Sequence, residues 1–112
     1  MRKAFSDLIA DPALQVILSS GATGLARHNC VPKALPVLFD VAAPGFGERF
    51  RQLSYADVGG ATVQSRSLAG LANGKLICCL PGSERALQLG WDGMLRAQLD
   101  SRTQPCNFAA QL

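Results

Sequence analysis

Val16-Ile17-Leu18-Ser19-Ser20-Gly21-Ala22-Thr23-Gly24 is the stretch that decides the fold. Its branched apolar residues favour a short buried strand, read over 15–18. The chain then enters a glycine bend, and Pro32 suits the first turn of a helix. A strand that empties through a glycine loop toward a helix is how an α/β protein presents backbone N–H groups to phosphate. Gly21, Thr23 and Gly24 are therefore candidate phosphate-binding residues. Ser20 either adds a hydroxyl to that cradle or closes the strand end.

Working outward, residues 2–10 read as a helix with Phe5, Leu8 and Ile9 on one face, ended by Pro12. A helix is expected over 32–40, a loop over 42–47 and a further helical segment over 48–54. Residues 61–71 and 75–80 read as strands. Between them lies Asn73-Gly74, the preferred pair for a tight hairpin because both residues tolerate positive φ. Pro81-Gly82-Ser83 follows the second strand, and Ser83 can cap a helix running from about Glu84 toward Leu99. Residues 102–112 form a tail without periodicity. Ligands of open α/β sheets sit at the carboxyl ends of strands. Residues 21–24 and 81–83 both occupy such ends, so Pro81, Gly82 and Ser83 join the candidate site.

The 112 residues suffice for one domain with one core. Hydrophobic residues make up 48% and charged residues 17%, a balance on the apolar side that points to subunit contacts. The net charge of +3 comes from scattered Lys and Arg with few aromatics, which argues against nucleic-acid binding. No apolar run has the length of a membrane span, and the N-terminal segment lacks the pattern of a signal peptide. The expected compartment is the cytosol. Cys30, Cys78, Cys79 and Cys106 read as reduced thiols, with adjacent Cys78 and Cys79 pointing to opposite faces of a strand. There is no C-x-x-C spacing, and His28 is the single histidine, so no metal site is expected. Beside the loop, His28 reads as an exposed side chain rather than an acid/base group. Trp91 and Phe46 read as core or interface, and Arg66 as structural or interfacial, less readily as an anion contact.

The loop Ser19-Ser20-Gly21-Ala22-Thr23-Gly24 resembles the Thr-Thr-Gly-Gly-Thr-Gly loop of the molybdopterin-binding domain. Further matches follow in order: Pro32-x-Ala34-Leu35, Phe39-Asp40, Pro44-Gly45-Phe46-Gly47-Glu48, Arg51-Gln52-Leu53-Ser54, Gln64-Ser65-Arg66 and Leu80-Pro81-Gly82-Ser83. The ending, Leu99 through Phe108, is similar to the MoaB branch in particular. The resemblance implies a three-layer α/β/α fold around a mostly parallel sheet with one antiparallel hairpin, assembled as trimers or hexamers. It implies binding of molybdopterin and of ATP or GTP with Mg²⁺, adenylation of the pterin, and release of pyrophosphate. Asp40 and Glu48 match carboxylates of the family and are possible supporting groups.

The chain departs from the pattern in three ways. The family's opening strands have no counterpart ahead of Met1. Either a neighbouring subunit covers that flank, or the sequence is a fragment, a decayed gene or a mis-started reading frame. Ala22 stands where the family has its second glycine, and a methyl group there hinders close approach of a ligand. The family's Asp-x-Thr-Pro-Glu is here Asn29-Cys30-Val31-Pro32-Lys33. Asn29 lacks the charge that Mg²⁺ prefers, and Lys33 reverses that of Glu, although its cation can supply part of the metal's role. Two functions follow as expectations: a molybdenum cofactor biosynthesis protein that binds molybdopterin and nucleotide phosphate, or a catalytically inactive paralogue or truncated product acting only as an oligomeric binding or scaffold subunit.

Overall fold

A computed structural model describes residues 2–25, 27 and 29–112; His28 lies outside the described residues. The first helix, α1, is Arg2–Ala10, and strand β1 is Val16–Ser20. After the glycine loop come α2 (Val31–Ala34), β2 (Val41–Ala42) and α3 (Pro44–Val58). Strands β3 (Leu68–Ala72) and β4 (Lys75–Leu80) precede α4 (Glu84–Gly90), a π turn (Trp91–Leu95) and α5 (Arg96–Gln98). The sheet order is β1-β4-β3-β2. β1 runs parallel to β4 in the register Val16 to Leu76 through Ser20 to Leu80. β3 is antiparallel to both β4 and β2. Three strands therefore point one way and β3 alone opposes them, which is the expected sheet with its single reversed strand.

Every residue of β4 is buried, because it lies inside the sheet with both faces covered. Strand alternation sends Leu76, Cys78 and Leu80 to one face, with Phe46, Phe50 and Leu95. Ile77 and Cys79 go to the other, with Phe5, Val31 and Leu35. The adjacent cysteines thus serve two cores, as their spacing predicts. Burial pushes both thiols from 9.0 up to about 12; the Cys79 charge adds to the rise at Cys78, and a Ser19 hydrogen bond partly offsets that at Cys79. The unfolded chain releases these protons above pH 9.0, whereas the folded chain keeps them to about 12. Their contribution to stability is complete below pH 9 and is lost as pH rises toward 12. Urea midpoints across this range are expected to fall, and to fall less in a Cys78→Val, Cys79→Val double variant; identical slopes would refute the assignment.

The hairpin turn has the predicted geometry, with φ 51° at Asn73 and 70° at Gly74. Ser83 caps α4 as expected, its Oγ accepting from the Ala86 N–H at 3.1 Å. Ser83→Ala is expected to lower stability by about 1 kcal/mol, measured by urea unfolding.

Three expectations are corrected. The helix expected over 32–40 stops at Ala34, because Pro36 has no N–H to continue the ladder, and a 3₁₀ turn (Pro36–Leu38) follows. The loop expected over 42–47 is largely helix. Pro44 starts α3, since its missing N–H would be unpaired at that position in any case. Gly47 is an interior helix residue for a packing reason: a Cβ there would collide with the Ser67 carbonyl oxygen. The strand expected over 61–71 begins only at Leu68. Before it, Gly59–Gln64 forms a 3₁₀ turn, held to α3 by Thr62, whose hydroxyl donates to the Arg51 carbonyl at 3.0 Å and pairs with the Ser54 hydroxyl. Among the described residues no helix is long and apolar enough to cross a membrane.

Candidate functional site

The carboxyl ends of β1 and β4 meet at one edge of the sheet. The Gly21 N–H donates to the Leu80 carbonyl at 2.8 Å, extending the parallel ladder by one bond. The chain then reverses through positive φ, 90° at Gly21 and 57° at Ala22. The other loop arrives beside it: a Cβ on Gly82 would lie 3.4 Å from the Gly21 Cα. Residues 21–24 and 81–83, far apart in sequence, therefore converge as expected of strand ends.

Behind the bend the backbone is tied down. The Ala22 carbonyl accepts from the Val31 N–H at 3.2 Å, and the Thr23 carbonyl from the Arg66 N–H at 3.0 Å. The Gly24 carbonyl accepts from Arg66 Nε at 3.0 Å and Nη2 at 2.6 Å, and the Asn29 carbonyl from Nη2 at 3.3 Å. Arg66 is thus structural, but to the loop itself. Local spacing could not reveal this, because the contact joins residues 42 positions apart.

The candidate residues divide by position. Ser20, Gly82 and Ser83 are exposed, while Gly21, Gly24, Asn29 and Pro81 are half-buried at the same edge. The Ser83 hydroxyl is engaged as the α4 cap. Thr23, expected to face a ligand, is 3% exposed, so its side chain anchors the bend from inside. Asn29 lies against Gly24, its Nδ2 3.1 Å from where a Cβ on that glycine would stand. Lys33 is exposed on the short α2. Glu48 is exposed on α3 and lines a separate 250 Å³ cavity with Arg51, Phe39 and Ser67. Asp40 is not brought to the bend. Its carboxylate accepts from the Asn73 N–H at 2.9 Å, at the hairpin end of β4. That is the length of the strand away from Leu80, about 17 Å.

Beside the bend, Leu18, Ser19, Ser20, Leu80, Leu87, Trp91 and Leu95 line a groove of about 360 Å³. Trp91 is 44% exposed on its rim rather than in the core, whereas Phe46 is core, at 4%. Ala22 carries a strain that glycine would relieve. Ala22→Gly is expected to raise stability by about 0.5–1 kcal/mol, because relief of the left-handed conformation outweighs glycine's added chain entropy; thermal unfolding measures it.

Comparisons with known proteins agree with this geometry. The family described as "probable molybdopterin binding domain" matches residues 1–101. The molybdenum cofactor biosynthesis protein B of Escherichia coli (strain K12) is 46% identical over all 112 residues, and the chain spans 66% of that protein's length. A crystal structure of a molybdenum cofactor biosynthesis protein B superposes with a TM-score of 0.82 at 28% identity, covering 88% of this chain and 62% of the other. The tungsten cofactor synthesizing protein MoaB from Pyrococcus furiosus gives 0.71 at 34% identity, covering 76% and 54%. With the match running through both convergent loops and nearly the whole sequence, the chain belongs to the molybdopterin-binding domain family.

Proposed function

We propose that this chain binds the phosphate of molybdopterin, and of a nucleotide used with it, at the bend after β1, and that it serves molybdenum cofactor biosynthesis. The observation that carries this reading is the meeting of Gly21 and Gly82 at the carboxyl ends of two adjacent parallel strands. Glycine at both positions keeps the space between the two loops free of side chains, and the neighbouring groove offers apolar area and Trp91 to a flat pterin. The names of the relatives point to the same pathway. Exposed apolar residues such as Leu25, Val37 and Val63 support a homo-oligomer.

The Mg²⁺ that the family resemblance implies does not fit the donor set. Asn29 offers a neutral carboxamide, Lys33 adds a positive charge, and Asp40 sits at the opposite end of the sheet. No group of three His, Cys, Asp or Glu residues capable of holding a metal occurs among the described residues. Binding of pterin and nucleotide phosphate is the reading these residues support; adenylyl transfer needs metal ligands that they do not supply.

Calorimetric titration with ATP, GTP and molybdopterin tests the reading, with light scattering for assembly and a pyrophosphate-release assay for turnover. Binding of pterin or nucleotide is expected, with release no faster than in Asn29→Ala. A protein that binds none of the three ligands overturns the proposal. Release well above that of the variant shows that the metal ligands come from elsewhere and leaves the binding reading standing.

A further inference from the structure

We infer that Arg66 is the positioning residue of the phosphate seat, and that this seat is formed by the N–H groups of Thr23, Gly24 and Leu25. The inference rests on the phosphate-binding reading above. In a trans peptide the C=O and the following N–H lie in one plane and point in opposite directions. Three successive carbonyls are tethered on the inner side of the bend: Ala22 to the Val31 N–H, Thr23 to the Arg66 N–H, and Gly24 to the Arg66 guanidinium. The N–H groups in those same planes belong to Thr23, Gly24 and Leu25. Fixing the carbonyls therefore turns three consecutive N–H groups to the opposite side. Gly21, by contrast, uses its N–H in the sheet and is not part of the seat.

Arg66 suits this task for two reasons. Its planar fork spans two acceptors, the Gly24 and Asn29 carbonyls, so it closes the loop on itself as well as orienting it. Its charge also polarises the Gly24 peptide, which strengthens the attached N–H as a donor to an anion. Bonding the carbonyl this way lets a cation assist anion binding without touching the ligand.

The probe is inorganic pyrophosphate, titrated by calorimetry into wild type, Arg66→Ala and Arg66→Lys, alongside hydrogen exchange of the residue 31 and residue 66 backbone amides without ligand. Both variants are expected to bind at least about tenfold more weakly, as suits the loss of charge-assisted hydrogen bonds. Lysine is expected not to rescue, because its single nitrogen lacks the rigid Nε and Nη2 edge that grips the Gly24 carbonyl with two donors. Millimolar ethylguanidinium is expected to restore binding to Arg66→Ala, an effect that a merely structural loss would not show. Exchange of the Val31 and Arg66 backbone N–H groups, which donate to the Ala22 and Thr23 carbonyls, is expected to quicken in both variants while that of β4 is unchanged. Should Arg66→Ala fail to fold, Arg66→Lys makes the comparison alone. Wild-type affinity retained in either variant overturns the positioning role and leaves the phosphate reading standing. A wild type that binds no pyrophosphate, yet shows the exchange difference, overturns the phosphate reading while confirming that Arg66 holds the loop.

Discussion

Gly82→Val is expected to weaken ATP and pyrophosphate binding about a hundredfold, or ~2.7 kcal/mol, with little change in unfolding free energy. A Cβ at this position stands 3.4 Å from the Gly21 Cα, an ordinary contact, so alanine fits. The two further methyl groups of valine extend beyond that Cβ and occupy the opening between the loops. Gly82 is exposed and does not require positive φ, so folding tolerates the change. Calorimetry on wild type, Gly82→Ala and Gly82→Val, with urea unfolding of each, separates occlusion from misfolding. Tight binding by the valine variant would place the ligand away from the meeting of the two loops.

Phe50→Ala is expected to lower the unfolding free energy by about 3–5 kcal/mol. Phe50 is 1% exposed and stands one helical turn after Phe46 on the face of α3 that covers Ala69, Leu76 and Cys78. Removing the ring leaves a cavity between helix and sheet that the close approach of Gly47 to Ser67 prevents from collapsing. A domain of this size has about 5–15 kcal/mol in all, so the variant sits near its folding threshold. A drop below about 1 kcal/mol in urea, with unchanged slope, would show that α3 does not carry this face of the core.

The two predictions draw on different kinds of legibility. Gly82 and the bend could be read from the chain, because glycine after each apolar run marks the place where a strand ends and backbone is laid bare. Phe50 falls in the helical segment read over 48–54, but its place in the core could not be read, since the start of α3 was hidden. Gly45 and Gly47 look like loop residues, and only the passage of α3 against Ser67 explains the second of them. Thr62 and Val63 misled in the opposite sense. Their β-branched side chains suggest a strand, but the Thr62 hydroxyl bonds to α3 and closes a turn.

Within the candidate site the same division holds. The bend after β1, the Asn73-Gly74 hairpin, the Ser83 cap and the family to which the chain belongs were all legible in the chain. Each of the first three depends on the sign of φ or on a side chain reaching an N–H three residues on, so neighbours in sequence suffice. That Arg66 grips Gly24, that Thr23 faces inward and that Asp40 lies at the far end of β4 came from the folded arrangement of the strands. Those outcomes follow from which strand lies beside which. That choice is made by burying both faces of β4 at once, and no local stretch of residues contains it.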